Sequence, residues 1–283
     1  MATFYNQATL SYKGISVSSN IATGELVSAL SASKTAVTDT YSTGSELVYV
    51  VSLVNSSASD VTALTLTDDL GAYEFGAETL VPLTYVDGSI KYFIDGVLQP
   101  APTVTASDPL TVTGISVPAG GTSTLIYAAA VNSYAPPEAG GSITNTASIT
   151  GTGVTELTAS ETVTAAAESL LDIAKSVSPT TVSENGEVTY TFVITNSGAA
   201  EAGAADSVSV TDTFTPILSN IAVSFNGAQM EKSVDYTYNE VSGVFATVPG
   251  SIIVPAATFT QDAVSGAWSC EPGSVALTVT GTI

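Results

Sequence analysis

The chain of 283 residues is 45% hydrophobic, enough for two buried cores, and carries 26 acidic side chains against 5 basic ones, for a net charge of −21 with no His. That balance excludes a phosphate-binding partner such as nucleic acid, and the missing imidazole excludes the commonest general base and metal ligand. One Cys rules out an intrachain disulfide, and no apolar run reaches the length of a membrane span.

Residues 1–30 open with Phe4-Tyr-Asn6-Gln-Ala8-Thr-Leu10, an alternation that predicts a strand with Phe4, Asn6, Ala8 and Leu10 on one face. These first residues have neither the basic nor the apolar region of a secretion signal, so the export route is not written there. Short alternating runs and Gly, Asp and Asn turns such as Val86-Asp87-Gly88-Ser89 then predict one immunoglobulin-like β-sandwich over 31–168 and a second over 169–283. The two are copies. Lys34, Glu46, Tyr49 and Asn55 recur as Lys175, Glu187, Tyr190 and Asn196, each 141 positions on, and the run Leu64–Asp68 recurs as Val208–Asp212. The copies differ at their ends. Domain one closes with Ile143-Thr-Asn145-Thr-Ala147-Ser-Ile149 and a further extended run, for which 169–283 shows no counterpart, whereas Phe4 to Leu10 matches Ile143 to Ile149 position for position. The expected fold is therefore all-β, two tandem sandwiches, the second completed by a donor strand from a neighbouring copy. Donor and acceptor surfaces differ, so the contact is head-to-tail and open-ended, and the expected partner is the chain itself.

Strand parity turns three polar residues per domain inward: Lys34, Asp68 and Asn145 in the first, and Lys175 and Asp212 in the second with Asn6 supplied by the donor. Burying unpaired charge is strongly unfavourable, and desolvation favours a neutral amine beside a neutral acid. A neutral Lys amine beside an Asn carboxamide can attack it, expel ammonia and leave an amide cross-link, with the Asp polarising the carbonyl and moving protons. Glu46 and Glu187 also recur, but parity sets them outside; an ordinary buried ion pair with a hydrogen-bonding Asn is the plain alternative. Tyr49 and Tyr190 are expected in the cores, and Trp268 near Cys270 in packing. Asp68-Asp69 is a turn rather than a calcium loop, with no metal or cofactor expected, and Asn55-Ser-Ser57 fits a glycosylation acceptor only weakly.

The runs Lys175-Ser-Val-Ser-Pro179, Gly186-Glu-Val-Thr-Tyr-Thr-Phe-Val-Ile-Thr-Asn196-Ser-Gly198, Val210-Thr-Asp212 and Asn145-Thr-Ala147 resemble the bacterial and archaeal surface-repeat domains of unknown-function family eleven (DUF11). Domain one departs from that pattern at Thr38, where the proline is absent. The Lys, acid and Asn trio is similar to that of isopeptide domains in pilins and adhesins. The resemblance implies a surface protein in which Lys34 bonds Asn145 within the chain, assisted by Asp68, and Lys175 bonds Asn6 of the next copy, assisted by Asp212. Together these expectations describe a structural subunit of an extracellular bacterial filament, on a cell or endospore, and no turnover enzyme. A non-polymerising adhesin or stalk that binds a host ligand is the alternative.

Overall fold

The computed structural model describes residues 2–26 and 29–283; Met1, Val27 and Ser28, inside the predicted 1–30 segment, lie outside it. Among the described residues every regular element is a strand except one 3-10 turn at Ala204–Asp206, and no helix is long and apolar enough to cross a membrane. The fold is the predicted all-β one. The chain divides into two units, Met1–Asn132 with Ile143–Val163, and Ser133–Ser142 with Thr164–Ile283.

Unit 1 begins with a hairpin of β1 (Ala2–Asn6), β2 (Thr9–Tyr12), β3 (Ile15–Ser18) and β4 (Ala22–Leu26), in which β1 pairs β4 and β2 pairs β3. The sandwich follows in β5 (Leu30–Ala36), β6 (Thr40–Tyr41), β7 (Glu46–Asn55), β8 (Val61–Asp68), β9 (Tyr73–Phe75), β10 (Glu78–Leu80), β11 (Leu83–Tyr85), β12 (Lys91–Ile94), β13 (Val97–Gln99), β14 (Thr103–Ser107), β15 (Leu110–Val117), β16 (Thr122–Val131), β17 (Ser142–Gly151) and β18 (Val154–Ala165). One sheet runs β13-β12-β16-β7-β5 with β11 beside β16, and the other runs β14-β15-β8-β17-β18-β6. The pairings β5-β7-β16 and β8-β17-β18 are those of an immunoglobulin sandwich. Alternation drives the packing: Leu47, Tyr49, Val51 and Leu53 of β7 face Leu64, Leu66, Val112 and Ile149 of the other sheet's buried face, each at 0–1% exposure. A buried aliphatic side chain of this kind contributes about 1.5–3 kcal/mol.

Unit 2 contains β19 (Leu171–Ser178), β20 (Glu187–Asn196), β21 (Thr211–Thr213), β22 (Ser219–Phe225), β23 (Ala228–Gln229), β24 (Tyr236–Tyr238), β25 (Val244–Thr247), β26 (Thr258–Gln261), β27 (Trp268–Glu271) and β28 (Gly273–Thr282). Its larger sheet, β19-β20-β28-β22-β23, repeats β5-β7-β16 and packs a core around Phe192, Phe214, Phe245 and Leu277. The opposing layer is short. β21, the counterpart of the end of β8, pairs β25 on one edge and stands at the end of its sheet on the other.

Candidate functional site

In unit 1, β5 and β8 place Lys34 and Asp68 on inward faces, and the Lys34 Nζ to Asp68 Oδ2 distance is 2.5 Å with both side chains at 0% exposure. Asp68 is held by two further donors, the Leu70 N–H on Oδ1 at 3.1 Å and the Tyr127 hydroxyl on Oδ2 at 2.5 Å. β17 pairs β8 with Ala147 opposite Asp68, which sets Asn145, on the same face two residues earlier, in the same buried cluster. Asn145 Nδ2 donates to the Tyr127 oxygen at 3.5 Å, while Asn145 Oδ1 and the Tyr49 hydroxyl are buried without hydrogen-bond partners. The ring of Tyr49 lies under the ammonium, 4.8 Å from Nζ to its centroid. Burial holds the Lys34 pKa below its ordinary 10.5, against the upward pull of Asp68, and pushes the Tyr49 and Tyr127 phenols up. A dry amine, carboxylate, phenol and carboxamide are thus gathered in one pocket.

Unit 2 repeats the ion pair but not its burial. Lys175 meets Asp212 in a short contact over the rings of Tyr190, Phe192 and Phe214, yet the two side chains are 40% and 19% exposed. Lys175 shares the parity of Leu171 and Ile173, and in the single chain it stays partly exposed. The reason is the neighbouring layer. In unit 1 β17 lies along β8 and helps to enclose Lys34, whereas the second edge of β21 is paired by no strand among the described residues. All of β19 is accordingly exposed, including Leu171 at 41% and Ile173 at 51%, against 4% for Leu30 at the corresponding start of β5. An open groove of about 220 Å³ runs there, lined by Leu171, Asp172, Ile173, Ile194, Val208, Ser209 and Val210.

The N-terminal hairpin has the converse defect. Its turn, Lys13-Gly14, and the turn Thr152-Gly153 between β17 and β18 each end on a glycine at positive φ, +78° and +75°, and they are 139 positions apart (153 − 14). The same offset joins the end of β4 to the end of β18 (165 − 26 = 139). It also carries the Tyr5–Thr23 pair onto Thr144 and Thr162, whose hydroxyls bond across β17 and β18. Yet Ile143, Asn145, Ala147 and Ile149 are buried at 0–2%, whereas Phe4, Asn6, Ala8 and Leu10 are all exposed, Phe4 at 60% and Leu10 at 69%. One pair differs in a compensating way: where Ile143 has Val163 at the corresponding position, Phe4 faces Gly24, and a Cβ on Gly24 would come within 2.3 Å of the Phe4 ring.

Other expectations resolve on burial. Glu46 and Glu187 are both exposed, outside the clusters. Tyr49 is fully buried and Tyr190 partly so. Asn55 is 0% exposed and its Nδ2 donates to the Ser59, Val117 and Pro118 carbonyls, so it ties loops together rather than standing free for modification; Asn196 also ties loops, its Nδ2 donating to the Ala200 carbonyl and its Oδ1 accepting from the Gly198 and Leu170 N–H groups. Cys270 is exposed, the indole nitrogen of Trp268 is buried without a partner, and no group of three or more metal-type ligands occurs among the described residues. Sequence reasoning did not assign Tyr127. It shares inward parity with Leu125 and Ala129 on β16 and faces Tyr49 across the β16–β7 ladder, and a phenol at an inward position was the available signal.

No family model and no curated protein matches the chain. In backbone it is similar to the pilus backbone RrgB of Streptococcus pneumoniae, at 11% identity over 86% of this chain and 55% of that one, with a TM-score of 0.32. It is similar also to BcpA, the major pilin subunit of Bacillus cereus, at 12% identity over 96% and 73% with a TM-score of 0.36. A third is the collagen-binding domain of a Staphylococcus aureus adhesin, at 9% identity over 49% and 99% with a TM-score of 0.31. The chain spans little more than half the length of the pneumococcal protein.

Proposed function

We propose that the chain is the subunit of a head-to-tail filament in which the hairpin of one copy takes, in unit 2 of the next, the place that β17 and β18 hold in unit 1. One observation carries this reading: the hairpin shares the turn position, length and register of β17–β18 yet exposes the face that β17 buries, while unit 2 leaves the matching edge of β21 and the face of β19 uncovered. Exposed apolar faces and an open strand edge are association surfaces, and here one is a hairpin and the other the edge that such a hairpin occupies in unit 1. Leu10, the counterpart of Ile149, would then lie against Val210, the counterpart of Leu66, in the groove.

Seating Asn6 there completes the second trio, and the same reaction can close in both units: Lys34 with Asn145 inside a chain, Lys175 with Asn6 between chains, Asp68 and Asp212 moving the protons. This is single-turnover chemistry on the protein itself, with no turnover enzyme implied. The setting of such a fibre is the outside of a cell or spore. Removing residues 1–26 tests the reading. The truncated chain is expected to stay monomeric by light scattering, and a synthetic peptide of residues 2–26 to bind it and raise its unfolding temperature. Filaments that form unchanged without residues 1–26 would assign the groove to a different segment and end the proposal.

A further inference from the structure

We infer that Tyr127 is the acid that protonates the leaving nitrogen of Asn145 when the Lys34–Asn145 bond forms, an inference that rests on the cross-linking reading above. The atoms require such a group. From the ion pair, Asp68 takes one proton and leaves Lys34 Nζ as the free amine, which adds to Asn145 Cγ; the Nζ–Cγ bond forms, the Cγ–Nδ2 bond breaks, Nζ loses a second proton and Nδ2 gains one, so that ammonia departs, one proton stays on Asp68 and nothing is oxidised or reduced. Asp68 Oδ2, 2.5 Å from Nζ, is placed to take the first proton. The hydrogen bonds of Asp68 run to Lys34, Leu70 and Tyr127, and the one from Asn145 Nδ2 runs to Tyr127.

The Tyr127 hydroxyl therefore stands between the two ends of the transfer. It donates to Asp68 Oδ2 at 2.5 Å and accepts from Asn145 Nδ2 at 3.5 Å, and a hydroxyl can hold both roles at once. Handing its proton to Nδ2 while taking the one gathered on Asp68 returns the phenol to its starting state. Bulk water is a poor substitute, because Asp68 and Asn145 are 0% exposed and Tyr127 1%. Contacts at such distances commonly tighten as the reaction proceeds. Unit 2 supplies an internal contrast. Tyr127 faces Tyr49 across the β16–β7 ladder, and the residue facing Tyr190 across β28–β20 is Val279, so in the bond between chains the leaving nitrogen of Asn6 would take its proton back from Asp212, which water reaches at 19% exposure.

The test uses the full chain carrying Asn6→Ala, so that only the link within unit 1 changes the mass. Protein made by cell-free synthesis is sampled in time and weighed intact for the loss of about 17 Da that accompanies ammonia release. Tyr127→Phe keeps the ring that stacks on Tyr49 and is expected to slow the loss about a hundredfold, within the range of a general acid. Folded Tyr127→Phe protein that links at the parent rate overturns the inference. A parent chain that never loses the mass overturns the cross-linking reading itself, and the inference with it. If Tyr127→Phe does not fold, 3-fluorotyrosine at position 127 decides, since it alters phenol acidity with little change in shape: a changed linking rate supports the assignment, and an unchanged rate refutes it.

Discussion

Lys34 shows what burial does to a single side chain. Its ammonium is enclosed with one carboxylate and two aromatic rings, and the desolvation penalty of such a pair runs to several kcal/mol per ion. Asn145→Ala removes the carboxamide and leaves the Lys34 amine free to titrate. Because the folded pKa lies below the unfolded 10.5, the unfolded chain binds the extra proton between those two values, and stability contributed by this site rises with pH across that window. Below the folded value both states are protonated and the penalty is present in full. Unfolding free energies of Asn145→Ala and of Lys34→Met/Asn145→Ala, compared from about pH 8 to about pH 11, should show Asn145→Ala gaining on the double variant as pH rises, by up to about 1.4 kcal/mol per pH unit. A difference that stays constant or moves the other way would contradict the buried cation. The inward parity of Lys34, Asp68 and Asn145 was legible in the sequence because β-strand side chains alternate strictly. The exposure of Lys175 was not legible from parity alone, because it depends on whether a strand lies along the second edge of β21, which alternation within one strand does not report.

Among the elements, the hairpin is the most informative. Its kinship with β17–β18 was legible in Phe4, Asn6, Ala8 and Leu10, but its second half was not, since Ile15 to Leu26 shares few residue types with Val154 to Ala165 and only the backbone register reveals the match. The Phe4–Gly24 pair has a packing consequence. Two positions that hold Ile143 and Val163 in unit 1 hold a larger and a smaller residue here, as if one volume were divided differently. Gly24→Val alone should displace the Phe4 ring and weaken hairpin docking by about 1–3 kcal/mol, the usual range for overpacking. Adding Phe4→Ile recreates the unit 1 pair and should restore assembly, followed by light scattering. If the double variant assembles no better than Gly24→Val, the two positions do not share a core. The extent of β8 and β21 was less legible: Leu64–Asp68 and Val208–Asp212 look alike in sequence, yet β8 has eight residues and β21 three, as expected when one has neighbours on both edges and the other on a single edge.

For the whole molecule, two units repeat one strand arrangement, and the hairpin β1–β4 repeats the turn and spacing of β17–β18. From the end of β18 to the start of β19 is 6 positions (171 − 165), and from the end of β4 to the start of β5 is 4 (30 − 26), so a joint between copies would resemble the joint within one. A net charge of −21 keeps separate copies apart in solution, and a covalent bond at each joint would oppose that repulsion once docking has occurred. Complementation between two disabled variants tests the central claim most directly. Asn6→Ala lacks the donor carboxamide and Lys175→Ala lacks the acceptor amine, so each alone should run as monomer in denaturing gels. Mixed before assembly, Lys175 of the first can bond Asn6 of the second, and the product has no reactive end left. The account predicts a covalent dimer and nothing longer. A mixture that stays monomeric while the unaltered chain forms a denaturant-resistant ladder, or a ladder from either variant alone, would contradict it.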